Sequence, residues 1–103
     1  MFASVTVIQL KIDEIDEAIN IYKECVIPAR KSEPGYVAPG GYILVDRETG
    51  KAIAITFWAD MEEHIAYRAS GQDAYFMEQI KKFQDHMVSV LPGGGRYEVC
   101  TEG

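Results

Sequence analysis

Residues 40–58, GGYILVDRETGKAIAITFW, form two apolar runs joined by a short charged turn, and neither run has a wet face. In the second run Ile53, Ile55 and Phe57 alternate with Ala52, Ala54, Thr56 and Trp58. In the first, Tyr42 and Leu44 alternate with Ile43 and Val45. Period-two alternation and β-branched content make both runs strands, and Gly50 is placed to supply the positive φ of a tight hairpin. A sheet covered by helices on one side only normally shows polar residues on the other. Because both faces here are apolar, a second protein surface is required, and a homodimer packing sheet on sheet is the simplest source.

The rest of the chain supplies the helices. Residues 4–12, SVTVIQLKI, alternate as a first strand. Asp13 offers an N-cap, with Glu14, Asp16 and Glu17 behind it at the positive end of the helix dipole. Ile15, Ala18, Ile19, Tyr22, Val26 and Ala29 then repeat at helical spacing, with Pro28 expected to kink the helix and SEPG to stop it. Residues 35–41, GYVAPGG, read as a flexible flap. Strands follow at 42–46 and 52–58. A short helix is capped by Asp60 with Glu63 three residues on, and Ser70 with Asp73 repeats the device. A last helix over about 72–90 presents Phe76, Ile80, Phe83 and Met87 on one side, PGGG ends it, and RYEVCT is a final strand. Strand, helix, two strands, helices, strand is the order of a ferredoxin-like split βαβ sandwich, an α+β fold in one domain spanning residues 1–103.

Composition excludes several functions. The chain has 103 residues with a formal net charge of -6, and it shows no basic patch of the kind phosphate backbones require, which argues against nucleic acid. It contains no apolar run of membrane-spanning length, and its start has no basic segment of the signal-peptide kind, so a cytoplasmic location is expected. Cys25 and Cys100 lack metal or redox spacing and read as reduced, buried small hydrophobes. No Ser or Cys lies in a nucleophile context, and GGG follows a helix rather than opening one, so it makes no phosphate cradle.

Candidate binding groups remain. Trp58, at a strand end beside a helix entry, is either a stacking wall for an aromatic ligand or filler of the core or interface. His64, Tyr67 and Arg68 lie at i, i+3 and i+4, so they share a helix face; His64 and Tyr67 are the candidate catalytic pair and Arg68 reads as surface. Gln9 is a polar residue in an apolar strand, either a candidate hydrogen-bonding partner for a carbonyl ligand or a group facing the dimer partner or a neighbouring strand. Tyr22 on the helix stripe, with Tyr36 and Tyr42 around the glycine-rich segment, are candidate lining phenols. His86 reads as structural or solvated, and the two histidines do not make a metal site.

The strand order, the segment GGYILVDRETGKAIAITFWADMEEHIAYRAS and the closing amphipathic helix resemble the antibiotic biosynthesis monooxygenase family of dimeric α+β barrels. The resemblance implies a homodimer with a pocket between each sheet and its helices. It also implies a cofactor-independent monooxygenase acting on a small phenol- or quinol-like aromatic, or alternatively a non-catalytic module binding such a ligand. The haem-degrading branch of these barrels uses a first-strand Asn, a Trp in the short helix and a His on the last helix. This chain has no such Asn, has Tyr67 nearest the Trp position and has His86 about two turns late, so neither haem nor another cofactor is expected. The quinol-forming branch places an Asn four residues before the strand-end Trp, where this chain has Ala54.

Overall fold

The computed structural model describes residues 1–103. Strand β1 (Phe2–Leu10) leads through a single 3-10 turn (Ile12–Glu14) into a long helical arm made of α1 (Ile15–Ile21), a π-helical turn (Tyr22–Val26) and α2 (Ile27–Lys31). The arm is followed by the hairpin β2 (Tyr36–Val45) and β3 (Lys51–Trp58), then α3 (Met61–Ala69), α4 (Ala74–Gln84) and the long strand β4 (Met87–Glu98). All pairings are antiparallel and the sheet order is β2-β3-β1-β4, the ferredoxin-like α+β topology expected of the sequence.

Several local expectations are corrected. The glycine-rich segment is no flap: it forms the first half of β2, whose ladder opens between Tyr36, paired with Trp58, and Gly41, paired with Thr56. Irregular composition is accommodated there as a bulge rather than a loop. The last helix stops at Gln84, not near residue 90, because Val88, Ser89, Val90 and Leu91 continue as strand. The PGGG segment sits within β4, where the register against β1 shifts between Val5 and Val7 and Gly93 adopts φ +108°. Asp13 lies in the 3-10 turn and caps nothing through its side chain. Asp73 stands at the N-cap of α4, but its carboxylate is taken by Arg68. Pro28 opens α2 directly after the π turn, in which the Ile27 amide donates to the Tyr22 carbonyl. The missing proline N–H is therefore met at a change of helical pitch, one of the known forms of helix irregularity.

Side-chain size along the two central strands decides where the interior is filled. On the face turned to the helices, β1 presents Phe2, Ser4, Thr6, Ile8 and Leu10, and β3 presents Ala52, Ala54, Thr56 and Trp58, with Ser4 opposite Thr56, Thr6 opposite Ala54 and Ile8 opposite Ala52. Ile8 and Leu10 pack with Ile15, Ala18, Tyr22, Val26, Phe76 and Phe83 into the core. The small residues between that core and the Phe2–Trp58 pair leave the interior open. On the other face Val5, Ile53, Ile55 and Phe57 are only partly covered, and Tyr42 and Leu44 are 47% and 51% exposed, so the two-sided apolar hairpin is realised with one side uncovered in the single chain. The hairpin turn is as expected: Gly50 has φ +80°, and a Cβ there would come within 2.7 Å of the Leu10 carbonyl oxygen. No helix is long and apolar enough to cross a membrane. Both cysteines are free, but neither is buried as expected: Cys25 is half-covered on the helical arm, and Cys100 is exposed because β4 ends before it.

Candidate functional site

The space left by Ser4, Thr6, Ala54 and Thr56 is a cavity of about 480 Å³ between the sheet and the helices, within the usual size range of small-molecule sites. The helical arm contributes Tyr22, Val26 and Arg30, α3 contributes His64 and Arg68, α4 contributes Phe76, Ile80 and Phe83, and β4 contributes Val90 and Arg96. Three arginines and a histidine line it, with no aspartate or glutamate, in a chain whose acids outnumber its bases 16 to 10.

His64 is positioned by its helix start. Asp60 accepts the Glu63 amide at 2.9 Å as the N-cap of α3, and Glu62 and Glu63 lie at the positive end of the dipole. This places His64 one turn in, where its ring lies 4.1 Å from that of Trp58 and 5.7 Å from that of Phe2. His64 is 3% exposed, and its Nδ1 is buried without a hydrogen-bond partner. Burial first, then the positive fields of Arg30, Arg68 and Arg96, pull its pKa down to about 4. The imidazole is therefore neutral at physiological pH.

The two inner arginines are held by aromatic faces and carboxylates. The Arg30 guanidinium carbon lies 3.2 Å from the Phe76 ring centre and 5.6 Å from that of Trp58, and both Glu33 oxygens accept from its Nη1. Desolvation lowers the Arg30 pKa while Glu33 opposes that shift, and a guanidinium so paired stays charged. Arg68 lies 5.2 Å from the Phe76 ring centre and its Nε donates to Asp73 at 2.8 Å. Tyr22 packs edge-on against Phe83 at 5.4 Å. Burial pushes its phenol up to about 12, partly offset by Arg30, so it serves as a neutral hydroxyl. Trp58 Nε1 donates to Thr56 Oγ1 at 2.8 Å, which leaves the threonine its own proton to donate.

Solved structures share this architecture over nearly the whole chain. A protein from Chloroflexus aurantiacus J-10-fl, provisionally named an antibiotic biosynthesis monooxygenase, matches with a TM-score of 0.69 at 15% identity, covering 99% of this chain and 96% of its own. A second structure, named antibiotic biosynthesis monooxygenase, matches with a TM-score of 0.65 at 17% identity and covers 100% of both chains. The chain has the antibiotic biosynthesis monooxygenase fold. A nipsnap family protein of unknown function from Agrobacterium tumefaciens str. C58 has it too, with a TM-score of 0.64 at 17% identity over 91% of this chain and 88% of its own. No protein-family model and no curated protein matches the sequence.

Within this antibiotic biosynthesis monooxygenase fold, the expected site residues separate. His64 and Tyr22 reach the cavity. Trp58, 1% exposed, is not a wall of the cavity but lies behind it, with Tyr36 edge-on at 5.5 Å. Tyr67 turns away along α3 and donates to the Gln72 carbonyl at 3.1 Å, while its neighbour Arg68, expected at the surface, lines the cavity. Gln9 is on the uncovered sheet face, donating to the Thr49 carbonyl at 2.6 Å across the hairpin turn. Tyr42 borders a separate groove of about 310 Å³ with Ile19, Ile27 and Gly41. His86 lies apart from the cavity, its Nδ1 2.7 Å from Glu14 Oε1. Glu17 brings a third potential ligand atom there, all within 4.8 Å of one another.

His64 protonates at about 4 in the folded chain and near its ordinary 6.5 once unfolded. Between those values the unfolded state binds more protons, so stability is whole above pH 6.5 and falls as pH drops towards about 4. Urea denaturation across this window should show a slope approaching one proton, about 1.4 kcal/mol per pH unit, that His64→Phe flattens. Equal slopes in both proteins would contradict a buried neutral imidazole.

Proposed function

We propose that the cavity binds a small aromatic molecule of phenol or quinol type and that the chain is a cofactor-independent monooxygenase. The observation that carries this reading is His64, a buried neutral imidazole that lines a cavity together with three guanidiniums. A phenol is oxidised by O2 only as its anion, which can pass an electron to O2 without a metal; recombination at a ring carbon and loss of one water then leave a quinone. O2 supplies one oxygen to the product and one to that water. The positive field of Arg30, Arg68 and Arg96 favours the phenolate, most strongly beside the buried Arg30, since Arg96 at the β4 side is exposed to solvent. An imidazole protonated only near pH 4 is a weak base, so the arginines must bring the phenol down towards it, and the bound anion in turn raises His64. The monooxygenase names of the structures sharing the fold support the reading. The same weakness of His64 as a base favours the second reading, a binding module of the same specificity without turnover.

An oxygen electrode separates the two. With a panel of naphthols, hydroquinones and anthrones, the oxygenase should give saturable O2 uptake that His64→Phe lowers by about 10²-fold or more. Saturable quenching of Trp58, the single tryptophan, without O2 uptake would instead establish the module.

The second chain that the uncovered face calls for is, we propose, a copy of the same chain. Val5, Ile53, Ile55, Phe57, Tyr42 and Leu44 form a contiguous apolar surface on one sheet face, the kind that marks an interface. Light scattering should give about twice the 11.5 kDa chain mass, and Ile55→Glu should return it to the single-chain value. A native protein that scatters as a monomer at micromolar concentration would contradict the dimer.

A further inference from the structure

We propose that the ligand of this cavity carries a carboxylate on its aromatic body, and that Arg96 is the residue that recognises it. This deepens the reading of the cavity as an aromatic-ligand site and does not depend on turnover. The chain has four arginines, and three are already matched: Arg30 with Glu33, Arg47 with Asp16, and Arg68 with Asp73. Arg96 lines the cavity and forms no ion pair, although acids outnumber bases in the chain as a whole. Its place is fixed by the sheet, because it is the β4 partner of Ser4, whose row faces the helices and the cavity.

The groups around Arg96 favour an anion over a neutral polar ligand. Ser4, Thr6 and Thr56 line the same space, and the Thr56 oxygen already accepts from Trp58, so its hydroxyl has a proton to give. No carboxylate lines the cavity to compete with the ligand, and the two inner guanidiniums are fixed against Phe76, adding positive potential without being free to fold over an oxyanion. A guanidinium recognises a carboxylate through two parallel hydrogen bonds, a geometry that a phenol hydroxyl or an amide cannot reproduce. Phe76, Ile80, Phe83 and Val90 supply the apolar surface for the rest of the molecule.

The test uses 2-naphthoate and its uncharged isostere 2-naphthamide, neither of which is a phenol, so binding is read without chemistry. Calorimetry on the full chain at pH 7.5 should show naphthoate binding about 10- to 100-fold more tightly than naphthamide, with only the naphthoate affinity falling as KCl is raised. Arg96→Gln should abolish the preference and leave naphthamide binding unchanged, while Arg96→Lys keeps part of it. Arg96 is exposed on a strand, so neither variant is expected to unfold the chain. Equal affinities for the two probes, a preference that survives Arg96→Gln, or no binding of either at millimolar concentration would each overturn the proposal. A carboxylate preference found in a protein that consumes no O2 with any phenol would retire the oxygenase reading and leave this one standing.

Discussion

The helices cannot close onto the sheet along its whole length, and both the cavity and the groups that line it follow from that steric limit. Ile8 and Leu10 at one end of β1 fill the gap to the helical arm, and Phe2 with Trp58 fills it at the other end. Between them Ser4, Thr6, Ala54 and Thr56 are too short to reach across. Protein interiors normally pack to the density of organic crystals, and a gap of about 480 Å³ costs dispersion energy from every atom on its wall. A row of small side chains flanked by large ones consequently leaves a cavity, with its position set by β register and its shape by residue volume.

Electrostatics then gives this space its character. Buried charge is costly unless it is paired, and Arg30 meets the condition with Glu33 on one side and the faces of Phe76 and Trp58 on the other. Once held there, it joins Arg68 and Arg96 in disfavouring a proton on His64, so the imidazole remains neutral in a cationic surround. The combination suits a ligand that arrives with negative charge or develops it. The acidic excess of the chain as a whole and the basic set of ionised groups lining the cavity are opposite in sign.

Much of the fold was legible because hydrophobic period and strand order are local signals. The two-faced hairpin, the Asp60 cap and the helical stripe from Ile15 to Ala29 all appear in the structure. The glycine-rich segment and PGGG misled because bulged strands share their composition with loops, and only pairing with a neighbour distinguishes them. Of the candidate lining residues, His64 and Tyr22 reach the cavity, whereas Trp58 is closed off by His64 and Tyr36, and Tyr67 bonds the Gln72 carbonyl, contacts between elements that spacing along one element does not carry. Arg30 left a readable trace: it follows Val26 by four residues on the buried stripe, with Glu33 three residues on, so a charge with its partner was already written into an apolar face. Arg96 left none, since its place opposite Ser4 depends on the β4 register and the bulge within it.

His64 sits neutral within a field of arginines, a state that nuclear magnetic resonance can observe directly. The chain has two histidines, so their ring carbon resonances can be assigned with a single His86→Gln variant. A pH titration of the folded protein should show the His64 ring titrating with a midpoint near 4 and holding its neutral shifts throughout physiological pH. A midpoint at the ordinary value of about 6.5 or above would contradict this, because the imidazole would then be neither desolvated nor surrounded by positive charge.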